Sequence, residues 1–102
     1  MKLWLDDERS VPDDSWTLCR WPCDVIDHLS KMAVGHCEVE VISLDHDLGD
    51  DERGTGYDVL LWIEEAVALH NFVPPVILIH TANASTRSKM EAACRSIKRF
   101  QK

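Results

Sequence analysis

Three short apolar runs in this chain each end abruptly in a cluster of polar residues, and this repeated pattern is the feature that most constrains the fold. The runs cover residues 2–5, 39–44 and 76–79. Apolar runs of this length, bounded by polar residues, are typical of strands buried in a sheet. The clusters that follow them are Asp6-Asp7-Glu8-Arg9, Asp45-His46-Asp47 and His80-Thr81-Ala82-Asn83.

Amphipathic helices are predicted between and after these strands. Apolar residues recur at helical spacing in three segments, which are flanked by residues that start or stop helices. Pro22 suits the first turn of a helix, and Gly35 offers a stop to the same helix. Pro74 and Pro75 prevent the second helix from continuing. The three helical segments run from residue 23 to 32, from 59 to 70 and from 90 to 97.

Strands that alternate with helices predict right-handed crossovers and a mostly parallel sheet. A further short strand over residues 16–20 is expected at one edge of this sheet. The run 76–79 is the most uniformly apolar segment, so we expect it to form a central strand. A chain of 102 residues has room for one hydrophobic core. The sequence therefore predicts a single α/β domain over residues 1–102.

The charge of the chain allows a prediction about its binding partners. Eighteen acidic and eleven basic residues give a net charge of −7, which disfavours binding of duplex DNA. A phosphorylated ligand stays compatible with this charge, because a metal ion or a local cation reverses the potential within one cleft.

No apolar run approaches the roughly 20 residues of a membrane span. The four cysteines lack C-x-x-C pairing, and no leader precedes them. We therefore predict reduced thiols in the cytoplasm. A zinc site is the alternative, although the spacing of the cysteines suits it poorly.

The polar clusters are expected to converge, because the carboxyl ends of parallel strands lie along one edge of the sheet. Several carboxylates held a few ångströms apart repel one another and need compensation by protons or by a divalent cation. Magnesium binds a small number of carboxylates together with water and phosphate oxygens. We therefore predict a site for Mg²⁺ or a similar cation formed by Asp6, Asp7 and Asp45.

At these positions the sequence resembles the receiver, or response-regulator, superfamily, and more closely its cyclic-phosphate processing branch. Asp6 and Asp7 are similar to the acidic pair that holds magnesium in receivers, and Asp45 to their phosphoacceptor aspartate. Thr81 and Ala82 match the small hydroxyl residue and the alanine that end the fourth strand. The resemblance implies a flavodoxin-like, receiver-like three-layer fold with a truncated, mostly parallel four-stranded sheet that lacks the fifth strand.

Further roles are predicted for the remaining polar residues. His80 is expected to exchange a proton with the attacking or leaving oxygen, a role typically worth about 10²- to 10⁴-fold in rate. Arg9 is predicted to clamp phosphate, with Thr81 as a further substrate-binding residue. Asp45, Asp47 and Asn83 are predicted as catalytic residues, Asn83 by holding a phosphate oxygen or the scissile ester and Asp45 as the candidate covalent acceptor. Structural alternatives exist: His80 as a hydrogen-bonded histidine near the core, Asn83 as a helix cap, and the acids as caps or loop residues.

These residues predict a metal-dependent phosphoesterase or phosphotransferase that acts on cyclic or terminal nucleotide phosphates, its partner being a small phosphorylated ligand or an RNA end. The resemblance implies a setting in RNA repair or in phage. The alternative function is a non-catalytic receiver-like module, phage-borne or not, that binds phosphate, metal or another protein. Because the fifth strand is missing, an exposed sheet edge predicts a homodimer as well.

Overall fold

A computed structural model describes residues 1–6, 10–45, 55–81 and 84–101 of the chain. It contains four strands and three helices that broadly match the segments predicted from the sequence. None of the helices within these described ranges is long and apolar enough to cross a membrane. The elements are β1 (Lys2–Leu5), β2 (Trp16–Cys19), α1 (Pro22–Ala33), β3 (Val41–Leu44), α2 (Gly56–His70), β4 (Val76–Ile79) and α3 (Ala84–Phe100).

The strands form one parallel sheet in the order β2-β1-β3-β4. This order confirms the predicted truncated receiver-like fold and the edge position of β2. The prediction that residues 76–79 form a central strand is wrong, because β4 pairs with β3 alone within the described part of the chain. Only one face of β4 packs against the core. Ile77 and Ile79 pack against the core, whereas Val76 and Leu78 are 59% and 47% exposed.

The three helices lie side by side, with α2 in contact with both α1 and α3. They cover one face of the sheet, where Leu3, Leu5, Ile42 and Leu44 are fully buried. Side chains alternate between the two faces of a strand, so Trp4 and its neighbours across the sheet point to the opposite face. All the described helices therefore share one layer, so the described part of the chain has two layers where three were predicted.

The N-terminus of α2 is fixed by a capping box. The Thr55 hydroxyl accepts a hydrogen bond from the Tyr57 amide at 3.2 Å, and the Thr55 amide donates to the Asp58 carboxylate at 2.7 Å. These bonds satisfy amide groups that have no partner within the helix itself. The helix therefore begins at a defined residue, Gly56, directly beside the end of β3.

Candidate functional site

The strand register brings Asp6, Asp45 and His80 together at the carboxyl end of the sheet. Leu5 pairs with Leu44 across β1 and β3, and Leu44 pairs with the last residue of β4. The Asp45 amide donates to the Leu5 carbonyl at 3.1 Å, and the His80 amide donates to the Leu44 carbonyl at 3.0 Å. Each of the three residues therefore lies one step beyond its strand, at the same level as the other two.

Alternation along the strands places these three side chains on the face opposite the helices. Leu5 and Leu44, which precede Asp6 and Asp45, are completely buried under the helices. The following side chains must point the other way. Carboxylate oxygens of Asp6 and Asp45 and a ring nitrogen of His80 all lie within 4.8 Å of one another. We call this group the Asp6–Asp45–His80 cluster.

His80 connects the cluster to the sheet through both nitrogens of its ring. Nε2 lies 3.2 Å from Oδ2 of Asp6, and Nδ1 lies 2.7 Å from Oγ of Ser43. With Asp6 ionised, its carboxylate can only accept a hydrogen bond, and Nε2 is then the donor to Asp6. In the neutral imidazole, the Ser43 hydroxyl is then the donor to Nδ1. The Nε2 proton is therefore the one that faces the carboxylates.

The orientation of the His80 ring is fixed by an indole. Trp4 stacks on the imidazole with ring centroids 3.9 Å apart and planes only 6° apart. Trp16 packs edge-on against Trp4, at a centroid distance of 5.5 Å. Aromatic pairs of these geometries are worth about 0.5–1.5 kcal/mol beyond the area that they bury. His80 is thus held by stacking as well as by two hydrogen bonds.

The position of Asp45 depends on Gly56, the first residue of α2. A Cβ atom at Gly56 would overlap the carbonyl oxygen of Asp45 and would lie 3.1 Å from the Cε atom of Met90. The helix can therefore approach the end of β3 this closely only with glycine at its first position. The N-terminus of α2 consequently lies beside the backbone carbonyl of Asp45.

The donor atoms of the cluster fit a divalent cation that prefers oxygen ligands. The side chain of Asp6 is 1% exposed, and a carboxylate buried to this extent requires a compensating charge or hydrogen bonds. Asp6 and Asp45 offer carboxylate oxygens, the ligands that Mg²⁺ prefers. The Nε2 atom of His80 bonds to Asp6, so this residue is better suited to handling a proton than to holding magnesium.

The structure describes part of the predicted site. Thr81 follows His80 and is buried, with 5% of its surface exposed. The residues Asp7, Arg9, Asp47 and Asn83 lie outside the described ranges, and their roles stay predictions.

Two residues of this arrangement, Ser43 and Trp4, were not assigned to the site from the sequence. Ser43 carried a signal, since it is the one polar residue in the strand sequence Val-Ile-Ser-Leu. Nothing in the sequence distinguishes Trp4, as a stacking partner of His80, from an ordinary core tryptophan.

Comparison with known protein families gives a match over most of the chain. The family model of the cyclic-phosphate processing receiver domain matches residues 1–96 of the 102 residues. No match was found among curated proteins or among solved structures. The matched range includes β1, β3 and β4 and therefore every residue of the Asp6–Asp45–His80 cluster.

Proposed function

This chain belongs to the cyclic-phosphate processing receiver domains, and from that premise we propose that it is a metal-dependent phosphoesterase or phosphotransferase for cyclic or terminal nucleotide phosphates. Membership of the family supports a phosphate-related role in general. The requirement for a metal, the catalysis and the nucleotide substrate are the parts that we propose.

The observation that carries the proposal is the Asp6–Asp45–His80 cluster, whose ligand atoms lie within 4.8 Å of one another. Two carboxylates at this distance favour a bound cation, because each raises the cost of ionising the other. A phosphate group also needs a cation to approach two carboxylates. The combination of acids with one imidazole therefore suits phosphate chemistry assisted by a metal.

The bound cation would supply charge that neutralises the phosphate oxygens during the reaction. Asp6 and Asp45 would hold it, with Asp7 as the third predicted ligand. Opening of a cyclic phosphate by water forms one phosphorus–oxygen bond and breaks the bond to a ribose oxygen, which must then gain a proton. We assign delivery of that proton to Nε2 of the protonated His80 imidazole, which is left neutral, and the proton that the attacking water loses would restore it. Ser43 lies 2.7 Å from Nδ1 and would accept a hydrogen bond from it in both of these states.

The remaining assignments follow from residue chemistry. Arg9 and Asn83 would hold phosphate oxygens, and Thr81 would contribute its hydroxyl or amide to the same group. Asp47 would support the carboxylate cluster as a further acid. In a phosphotransferase, Asp45 would also act as the covalent acceptor. The ligand is a small nucleotide or the end of an RNA strand, since the net charge of −7 opposes binding of duplex DNA.

The direct experiment is to incubate the protein with a 2′,3′-cyclic nucleotide and Mg²⁺ and to follow ring opening by ³¹P NMR. We expect turnover by the unsubstituted chain that stops on addition of EDTA. His80→Ala should reduce the rate by about 10²-fold or more, as for loss of a general acid. The matched control is His70→Ala, which removes an exposed histidine at the end of α2.

Metal binding is measured separately from turnover, by titration of Mn²⁺ followed by electron paramagnetic resonance. Asp45→Asn should weaken binding, whereas His80→Ala should largely retain it. Binding without turnover in the unsubstituted chain would overturn the enzymatic proposal and favour the receiver-like binding module. In that event, treatment with acetyl phosphate and measurement of intact mass would show whether Asp45 becomes phosphorylated.

A further inference from the structure

Among the described residues, the outer edge of β4 has backbone groups without a hydrogen-bond partner. The amides of Val76 and His80 both donate to carbonyls of β3 or of the residue before it, each at 3.0 Å. Backbone groups of successive strand residues point to opposite sides, so those of Ile77 and Ile79 point away from β3. Within the described part of the chain, β4 is the last strand on this side of the sheet. Its outer edge is therefore a template for another strand.

One side chain covers part of this edge. The guanidinium of Arg87, in the first turn of α3, donates to the Ile79 carbonyl at 2.7 Å. The N–H and C=O groups of Ile77 and the N–H group of Ile79 still point outward. These three groups are enough to pair with a short extended segment, and Arg87 marks the end of the available edge.

A groove follows the same edge between β4 and α3. It consists of two adjoining cavities of about 340 and 370 Å³, both lined by Ile77, Cys94 and Lys98. Arg87 and Arg95 line the first of these cavities together with one acid, Glu91. The charged wall of the groove is therefore net positive, and it runs parallel to the unpaired backbone.

This positive surface contrasts with the rest of the molecule. The chain has a net charge of −7, yet its last nineteen residues hold a single acid, Glu91, among eighteen in the whole chain. The basic residues of the same segment are Arg87, Lys89, Arg95, Lys98, Arg99 and Lys102. A second copy that paired through β4 about a two-fold axis would bring two basic α3 helices together, which like-charge repulsion disfavours.

We propose that the β4 edge and its groove bind an extended protein segment that carries acidic side chains. The segment would add a strand beside Ile77 and would place its acids against Arg95 and Lys98. Backbone pairing of this kind supplies affinity, and the pockets beside the strand supply selectivity. A nucleic acid matches the charge of the groove but not the unpaired peptide groups. The observations therefore favour a polypeptide partner.

The test uses the full chain and a fluorescein-labelled octapeptide of alternating valine and glutamate, with fluorescence anisotropy as the readout. We expect binding that weakens with added salt, together with slower hydrogen exchange at the Ile77 amide. Arg95→Glu should weaken binding by about tenfold, a change of about 1.4 kcal/mol. Lys89→Glu is the matched control on the same helix, because Lys89 lies over the Tyr57 ring, 4.1 Å from its centroid, and does not line the groove.

Three results would overturn the proposal. The first is equal binding of the valine–glutamate peptide and a valine–lysine peptide. The second is binding of a uridine octanucleotide that depends on Arg95 but leaves exchange at Ile77 unchanged. The third is a dimer in analytical ultracentrifugation that protects the Ile77 amide without any peptide. None of these outcomes depends on turnover, so the proposed enzymatic function is tested independently.

Discussion

The imidazole of His80 lies flat against the indole of Trp4, with centroids 3.9 Å apart and an interplanar angle of 6°. Trp4 lies within β1 and His80 directly follows β4, and β3 lies between these two strands. The ring of His80 therefore reaches back across the face of β3, where Ser43 hydrogen-bonds to it. This contact orients Nε2 toward Asp6, which makes Trp4 a positioning residue for the proposed reaction.

Replacement of Trp4 tests this relationship. We expect Trp4→Leu to lower the turnover number by about 10- to 100-fold, because a small misplacement of a catalytic group is costly. Loss of the stacking pairs should reduce stability by about 1–2 kcal/mol. Trp62→Leu is the control, since Trp62 is also half-buried and packs edge-on against Phe72. Equal loss of activity in the two variants, measured well below their unfolding temperatures, would contradict a positioning role for Trp4.

Ser43 is predicted to affect proton transfer by His80 rather than the binding of substrate. Ser43→Ala leaves Nδ1 without the hydroxyl that lies 2.7 Å away, at a cost of about 1 kcal/mol in stability. We expect a lower kcat with little change in KM and a displaced pH profile. Ser96→Ala removes a comparable hydroxyl, which bonds to Glu64 at 3.3 Å. That variant should keep the original pH profile, and an identical displacement in both would argue against a specific role of Ser43.

Gly56 is predicted to be irreplaceable at the start of α2. Alanine normally stabilises a helix by about 1 kcal/mol relative to glycine. At Gly56 we expect the opposite, a loss of about 2–3 kcal/mol, because the new methyl group would overlap the Asp45 carbonyl. Denaturant unfolding and Mn²⁺ titration measure the two consequences, lower stability and weaker metal binding.

Gly35→Ala is the comparison for this experiment. Gly35 has a φ of 79°, and no atom of the described residues lies within 4 Å of the position that a Cβ would occupy. Alanine there should therefore cost only about 1 kcal/mol through backbone strain. It should leave Mn²⁺ affinity unchanged. Weaker metal binding in Gly35→Ala would show that general destabilisation, and not displacement of Asp45, explains the effect at Gly56.

The buried thiol of Cys19 predicts a loss of stability at alkaline pH. Burial, helped by the nearby charge of Asp24, raises the pKa of Cys19 to about 11 from its ordinary value of 9.0. The folded thiol stays protonated while the unfolded one ionises, so the unfolded state binds fewer protons between these pH values. The free energy of unfolding should therefore fall as pH rises from about 9 to 11, by up to about 3 kcal/mol.

Urea unfolding across this pH range provides the measurement. Cys19→Ala should lack this part of the decrease, whereas Cys23→Ala, which removes an exposed thiol, should retain it. Parallel pH curves for Cys19→Ala and the unsubstituted chain would contradict the assignment of the effect to Cys19.

Much of the fold follows from local patterns in the sequence. The apolar runs that end in acids or histidine identify β1, β3 and β4, and helical periodicity identifies the three helices. The error at β4 has a physical cause, because a uniformly apolar run predicts burial on both faces. Ile77 and Ile79 alone supply the packing here, and Val76 and Leu78 are largely exposed. A run of four residues contains no information about how many strands lie beside it.

The sequence by itself determined that Asp6, Asp45 and His80 belong at one edge of a parallel sheet, because each directly follows a strand. Only the tertiary structure decided that they share one register level and one face, and that Trp4 and Ser43 hold the His80 ring. Those contacts join residues that are far apart in the chain, and strand order and register fix their geometry. Local sequence patterns specify strands and their ends, but they do not specify which side chains meet across the sheet.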